Sequence, residues 1–226
     1  MKAFFSYISL TLLLAAGAAP AAEQQRFSVN GGVQYGTMGT EDEMIGGPGF
    51  ATEFRLHFTP KWGLHAEIGR QDLGALKLHG STMVFDDYGV GVFEGTQVNA
   101  YDMTYRTIGV LYNRESDGSS AWWGGLGIGF YTFNTEVTVL EGSFSYADLW
   151  GNYDEIDMAG YSDTESLSLT GVVFTGGAST VIDGWFRLYM KASTHVLPIG
   201  DKLKYTKSLD GTVAVLSVMV GVGVSF

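Results

Sequence analysis

The sequence predicts an all-β protein, folded as a closed eight-stranded antiparallel transmembrane β-barrel with short turns at one end and long loops at the other. Apolar residues alternate with other residues over eight segments, most of them longer than the roughly 5–6 residues of a typical strand. Short and long connections also alternate along the chain. Finally, the chain ends in SVMVGVGVSF, where every second residue is apolar and the opposite face is mostly small. In a soluble protein the outer face of a strand is usually polar, whereas an apolar outer face is typical of a strand that contacts lipid.

The N-terminus predicts a cleaved secretory signal at residues 1–21. Lys2 supplies a positive start, residues 8–16 form a short apolar stretch, and Ala19-Pro20-Ala21 has the form of a cleavage site. We therefore expect a single barrel domain at residues 22–226. The chain has no cysteine, which excludes disulfides. Its net charge of −11 makes nucleic acid an unexpected partner.

The period-two pattern predicts the eight strands in order. They span residues 27–38, 50–59, 62–73, 101–113, 121–139, 166–182, 185–197 and 212–226. The short connections are 60–61, 114–120 and 183–184, and the longer ones are 39–49, 74–100, 140–165 and 198–211. The even strand count places both termini at the short-turn end.

Large aromatic residues cluster where the short turns begin or end. Such side chains favour a bilayer interface because they combine an apolar body with a polar tip or broad ring. The predicted girdle consists of Phe58, Trp62, Trp122, Trp185, Phe186 and the terminal Phe226. The valines of the last strand are then expected to face lipid above this girdle.

The chain resembles the small eight-stranded outer-membrane barrels of the OmpA, OmpX and OmpW type, including the neisserial opacity proteins. The resemblance rests on the signal, the opening FSVNGGVQYG, the hairpin FRLHFTPKWGLHAEIG and the closing VGVGVSF. It implies an integral location in a Gram-negative outer membrane, with extracellular loops and both termini in the periplasm. It also implies that the barrel assembly machinery recognises the C-terminal strand. The passage of small hydrophobic molecules associated with OmpW-like barrels implies an apolar lumen, whereas the residues here predict a polar one.

Charged residues on the other face of the strands predict a lumen filled by a salt-bridge network, because buried charges require partners. With a turn centred on Lys61, Arg55 lies opposite Glu67 and His57 opposite His65. Counting alternate residues in the same way predicts that Asp102, Thr104 and Arg106 point inward on the fourth strand. The predicted network comprises Glu53, Arg55, His57, His65, Glu67, Asp102, Arg106, Arg187, Lys191 and His195.

Two kinds of chemistry are weaker alternatives. Cross-strand His57 and His65 have the donor type for a metal ion, but satisfied lumen histidines are commoner, and we expect no metal or other cofactor. Ser193 and His195 share one face of a strand, as a lipid A-modifying enzyme would need, yet the predicted register turns both inward. His79 with Ser81 is a weak loop match to the same chemistry. No catalytic residue is assigned.

The long loops predict a recognition surface. The third loop combines exposed aromatic and acidic residues, a composition found at binding surfaces. Its candidates are Tyr146, Trp150, Tyr153, Asp154, Asp157 and Tyr161. A calcium site among these acids is an open alternative. Three lysines of the last loop are expected to meet lipopolysaccharide phosphates or the acidic third loop.

The leading function is therefore a non-enzymatic surface protein with an envelope-structural role and loop-mediated recognition or adhesion. Its expected partners are outer-membrane lipid, lipopolysaccharide, the assembly machinery and an extracellular protein or glycan. A narrow porin for small solutes is the first alternative, and a lipid A-modifying enzyme is the second. The fold itself does not decide between them.

Overall fold

A computed structural model describes residues 27–39, 43–86, 89–115, 120–147, 153–199 and 211–225. They form nine strands: β1 (Phe27–Gly39), β2 (Met44–His57), β3 (Trp62–Asp86), β4 (Gly89–Glu115), β5 (Ser120–Ala147), β6 (Tyr153–Asp157), β7 (Ser162–Asp183), β8 (Phe186–Pro198) and β9 (Thr212–Ser225). None of the described segments is a helix of the length and apolarity needed to span a bilayer. The predicted signal, Trp150 and Phe226 lie outside the described residues.

Eight of the strands close into an antiparallel ring. The order is β1-β2-β3-β4-β5-β7-β8-β9, and β9 pairs back onto β1. Closure leaves no open sheet edge within the ring, as a bilayer requires. The predicted eight-stranded antiparallel barrel is therefore confirmed. β6 stands outside the ring and pairs only with the far end of β5.

The strands differ greatly in length. Four of them (β1, β2, β8 and β9) have 13 or 14 residues. In contrast, β3, β4 and β5 have 25, 27 and 28 residues. Crossing hydrocarbon takes about 9–11 tilted residues, so β3, β4 and β5 rise beyond the barrel as a sheet that β6 extends. We call β3 from residue 75, β4 up to residue 100, β5 from residue 136 and β6 the protruding sheet.

The observed strand lengths correct the prediction of long loops at 39–49 and 74–100. Strands β1 and β2 continue to the pair Gly39↔Met44, and β3 and β4 continue to Asp86↔Gly89. Beyond the membrane both faces of a strand meet water or protein, so the apolar alternation that marks a transmembrane strand is lost. The extra strand residues therefore looked like loop in the sequence.

The outer face of the ring is apolar at lipid depth. Val218, Val220 and Val222 of β9 are 49–54% exposed, as the last-strand pattern predicts. Val224, which we expected to face lipid with them, is instead only 7% exposed. Large exposed apolar residues continue around the ring on the same face of every strand: Val33, Phe50, Leu64, Ile68, Ile108, Val110, Leu126, Ile128, Phe174, Leu188 and Met190.

The β2–β3 hairpin has the predicted faces but a different register. Arg55 lies opposite His65, Glu53 opposite Glu67, and His57 opposite Gly63. The expected pairs Arg55–Glu67 and His57–His65 were wrong because the turn is centred on Pro60 rather than Lys61. A slide of two residues keeps every side chain on its face, so alternation in the sequence does not distinguish the two registers.

On β4 the predicted inward face was wrong. Tyr101, Met103 and Tyr105 are 1–2% exposed and point into the barrel. Asp102, Thr104 and Arg106 consequently lie on the outer face. Counting alternate residues predicted an inward position, but these residues lie on the outer face at and above the upper edge of the apolar band, where charge is tolerated.

Candidate functional site: the lumen and the protruding sheet

The half of the lumen nearer the short turns contains four buried charges. The Arg55 guanidinium contacts the Glu53 carboxylate at 2.6 Å, and the Lys191 ammonium contacts the Glu67 carboxylate at 2.5 Å. All four residues are no more than 6% exposed. Two anions therefore face two cations, which makes the cluster formally neutral. The second pair joins β3 to β8 across the barrel, so it links opposite walls.

Aromatic and polar side chains extend this charged layer. Arg55 also stacks 3.7 Å above the ring of Trp123, a cation–π contact. The Tyr105 hydroxyl lies 2.9 Å from a Glu67 oxygen and 3.0 Å from the Gln34 side-chain oxygen. It therefore fixes the carboxylate that Lys191 binds. This role of Tyr105 was not predicted, although the alternation of Tyr101, Met103 and Tyr105 along the strand was a visible signal.

His195 and Tyr131 lie beside Tyr105, next to the charged layer of the lumen. His195 is fully buried, and its Nδ1 lies 3.1 Å from the Tyr131 hydroxyl. The ring of Tyr105 packs against the same imidazole with centroids 4.8 Å apart. Glycines opposite these rings make the space, because a Cβ at Gly69 would lie 2.4 Å from the Tyr105 ring.

The half of the lumen nearer the protruding sheet is mostly apolar, although Gln71 and Thr135 are also buried there, and this corrects the expectation of a polar lumen. Its buried side chains form one packed cluster that includes Met38, Ile45, Leu73, Leu76, Met103, Phe133, Leu169, Leu197, Ile199, Val213 and Val215. The described lumen therefore has two filled layers, a charged one below and an apolar one above. This second layer was not predicted from β9, because its inward Val213 and Val215 are the same residue type as its lipid-facing Val218 and Val220.

The remaining predicted lumen residues lie at other levels. His57 sits near the short-turn end, where its Nδ1 lies 2.8 Å from the Asn113 amide. Arg187 is half-buried on the inward side of β8. Outside the barrel, Asp102 accepts a hydrogen bond of 2.9 Å from Asn134 and lies 3.8 Å from Arg70.

Three lumen residues have donor types that suit a metal ion. Ligand atoms of Glu53, His65 and Glu67 lie within 4.8 Å of one another. However, both carboxylates already bind a cation, and His65 Nδ1 lies 3.5 Å from Glu53. The geometry therefore favours the ion-pair network over a metal. The predicted pair His57–His65 is not brought together, because the observed register separates them.

Ser193 and His195, two of the residues considered for lipid A chemistry, lie inside the barrel and do not face lipid. Ser193 is 4% exposed, and its hydroxyl lies 3.1 Å from that of Thr175 inside the barrel. His195 binds Tyr131 in the lumen. On the protruding sheet, the Nδ1 of His79 lies 2.8 Å from the Thr96 hydroxyl, which donates to Glu141 at 2.9 Å. This arrangement holds the threonine hydroxyl between two partners.

The described girdle residues all lie on the outer face at the short-turn end. Phe58, Trp62, Trp122, Trp185 and Phe186 are 43–61% exposed. The Trp62 ring packs edge-on against Tyr112 with centroids 5.1 Å apart, which adds an aromatic residue that the sequence pattern missed.

The predicted third-loop surface is partly strand. Tyr146 of β5 pairs with Asp154 of β6, and Tyr153 pairs with Ala147. Asp157 ends β6 and accepts a hydrogen bond of 3.0 Å from the Ala159 amide, while Tyr161 is 45% exposed. Tyr146, Tyr153, Asp154 and Asp157 therefore lie on β5 and β6, at one edge of the protruding sheet.

No family model matches the chain, and no curated protein matches it in sequence. Among solved structures, Neisserial surface protein A is similar with a TM-score of 0.52 and 11% identity, over 88% of this chain and 97% of that one. The attachment invasion locus protein Ail of Yersinia pestis, in complex with the heparin analogue sucrose octasulfate, is similar with a TM-score of 0.48 and 15% identity, over 90% of this chain and 100% of that one. OprG of Pseudomonas aeruginosa is similar with a TM-score of 0.48 and 13% identity, over 90% of this chain and 97% of that one.

At these identities the likeness concerns the fold alone. The comparison with Neisserial surface protein A agrees with the closed antiparallel ring. The chain therefore has the fold of the small eight-stranded outer-membrane β-barrels.

Proposed function

We propose that the protein is an integral outer-membrane barrel with a sealed lumen, whose protruding sheet binds an extended, positively charged polypeptide outside the cell. In this orientation the short turns and both termini face the periplasm. The observation that supports it best is the excess length of β3, β4 and β5, which places a sheet of paired strands beyond the membrane.

The lumen supports a structural role for the barrel itself. Charged and apolar layers fill it in succession, and the ion pairs Arg55–Glu53 and Lys191–Glu67 are buried. Water and solutes would have to separate both layers to pass. A barrel of this kind serves as an anchor that holds the protruding sheet at a defined height.

The protruding sheet has an open edge. β3 pairs with β2 only as far as Gln71, whereas it pairs with β4 as far as Asp86. Among the described residues, no strand pairs with β3 at 75–86 on the side away from β4. An exposed edge of this length is a template for an added strand, which binds through main-chain hydrogen bonds.

The charge of the sheet indicates the partner. Exposed acidic side chains outnumber basic ones on its described part: Glu94, Glu136, Glu141, Glu155 and Asp157 against Lys77. Complementary charge steers association and selects partners. A polyanion such as the heparin analogue bound to Ail is therefore a poor fit, and a basic segment is a good one.

Binding of two model peptides by the refolded protein tests the recognition role. We expect an alternating lysine–threonine peptide to bind with an affinity that falls as salt rises, and a glutamate–threonine peptide of equal length not to bind. A variant lacking residues 79–96, with the pair Leu78↔Gln97 joined by a short turn, should lose binding but keep the barrel. Equal binding of both peptides, or unchanged binding by the shortened variant, would contradict the proposal.

Conductance in a planar bilayer tests the sealed lumen against the porin alternative. We expect no discrete current steps from the wild type. Current leak should appear when Arg55→Ala is combined with Glu67→Ala, because each change leaves a buried charge without its partner. Discrete steps in the wild type would favour a narrow channel.

A further inference from the structure

The protruding sheet has a second open edge, which β6 forms. β6 pairs with β5 from Tyr153 to Asp157, and within the described part of the chain no strand pairs with its other side. The Met158 amide donates to the Gly142 carbonyl of β5 at 3.0 Å. Because main-chain groups alternate in direction along an antiparallel strand, the N–H and C=O groups of Glu155 and Asp157 point to the open side. Both residues therefore offer main-chain donors and acceptors to an added strand.

One face of the sheet is acidic at this edge. Asp157 ends a row that crosses from Glu94 on β4 through Ser143 on β5. Glu155 lies two residues along β6 and therefore on the same face. The acidic side chains of all three strand positions are exposed. A strand paired with β6 would consequently place every second side chain beside a carboxylate.

The opposite face of the sheet presents an apolar row at the same edge. Phe93 on β4 pairs with Phe144 on β5, which pairs with Ile156 on β6. Phe93 is 8% exposed, whereas Ile156 at the edge is 49% exposed. An apolar residue opposite Ile156 on an added strand would continue the row and remove this surface from water.

The edge of β3 carries the opposite charge. Among its described side chains, the exposed Lys77 and His79 lie on the same face as Glu94. A basic strand added at that edge would meet Lys77, and like charges directly opposite one another destabilise a strand pair. Side-chain charge therefore directs a basic strand to β6.

We infer that β6 binds an extended segment in which basic residues alternate with apolar ones. The residues opposite Glu155 and Asp157 are basic, and the residue between them, opposite Ile156, is apolar. This assignment rests on the proposed function, which gives the protruding sheet a basic and extended partner, and it names the edge and the sequence pattern that select that partner. The main chain supplies affinity, and the two faces of β6 supply specificity.

Fluorescence anisotropy of short labelled peptides, titrated with the detergent-refolded protein, tests the sequence pattern. We expect an alternating lysine–valine peptide to bind about fivefold more tightly than a lysine–threonine peptide of equal length, because only valine extends the apolar row. Ile156→Ser should abolish this difference and leave lysine–threonine binding unchanged. A peptide with the same lysines and valines in two separate blocks should bind about fivefold more weakly than the alternating one.

Charge and main-chain variants test the edge. Glu155→Gln/Asp157→Asn should weaken both alternating peptides about tenfold at low salt. The matched control is Glu43→Gln/Asp183→Asn, which removes two exposed acidic charges outside the protruding sheet and should stay within about twofold of the wild type. Glu155→Pro should bind about fivefold more weakly than Glu155→Gln, because proline also removes an N–H group that points to the open side. Each variant is first checked for folding by its different gel mobility before and after boiling.

Three results would overturn the inference. The first is equal binding of the lysine–valine and lysine–threonine peptides by the wild type, and the second is equal binding of the alternating and block peptides. The third is a loss in the control double variant as large as that in Glu155→Gln/Asp157→Asn.

Failure here is distinguishable from failure of the proposed function. If Glu155→Gln/Asp157→Asn binds the lysine–threonine peptide as the wild type does, while the variant lacking residues 79–96 does not, the sheet has a basic partner but β6 is not its site. If the wild type does not bind the lysine–threonine peptide, the proposed function itself is wrong.

Discussion

The ion pair between Lys191 and Glu67 allows the sharpest test of the lumen. Its charged atoms are 2.5 Å apart, and both side chains are 1% exposed. Lys191→Met keeps an unbranched apolar stem as far as Cε but leaves the Glu67 carboxylate buried without its cation. Breaking one side of such a pair typically costs about 3–5 kcal/mol in the free energy of unfolding. We expect a loss in that range.

A second variant separates the unpaired charge from the loss of packing. In Lys191→Met/Glu67→Gln the charge is gone, and the glutamine oxygen can still accept the hydrogen bond from Tyr105. We expect the double variant to recover most of the stability and to lie within about 1 kcal/mol of the wild type. Lys61→Met, at an exposed turn, should change stability by less than about 0.5 kcal/mol.

Urea unfolding of the barrel in lipid vesicles measures these free energies, and the chain's 5 tryptophans supply the fluorescence signal. A loss below about 1 kcal/mol for Lys191→Met would refute the buried pair. A double variant as unstable as the single one would show that packing of the lysine stem, and not the unpaired charge, causes the loss.

Three further predictions use the same assay. Ile108→Arg should cost about 2–4 kcal/mol because it puts a charge at lipid depth, whereas Thr104→Arg on the same face above the band should cost much less; equal losses would contradict the position of the band. Gly69→Val should lower the free energy of unfolding by about 1–3 kcal/mol, because its Cβ would meet the Tyr105 ring. Gly31→Ala is the control and should be tolerated, since no atom lies within 4 Å of the added Cβ. A tolerated Gly69→Val would argue against the packing of Tyr105 on this glycine. Tyr131→Phe should cost about 1 kcal/mol through loss of the contact with His195, unless that contact is absent in solution.

Much of the barrel could be predicted because lipid imposes a strict pattern. The last strand shows this best: Leu216, Val218, Val220 and Val222 face outward because hydrocarbon accepts little else there. The same rule placed Glu53, Arg55, His65 and Glu67 on the inner face of their hairpin. Above the membrane no lipid imposes the apolar alternation, and the sequence pattern therefore predicts a loop at 74–100, although much of this segment is paired strand.

The pattern of residues along the chain was enough to predict the number of ring strands, the faces of most of them and the presence of buried charge in the lumen. Which charges meet depends on how the ring closes. Lys191 reaches Glu67 because closure of the ring brings β8 opposite β3, and no local pattern records that distance. The outward position of Arg106 was likewise decided by height, because a charge that hydrocarbon rejects is stable at the headgroup level.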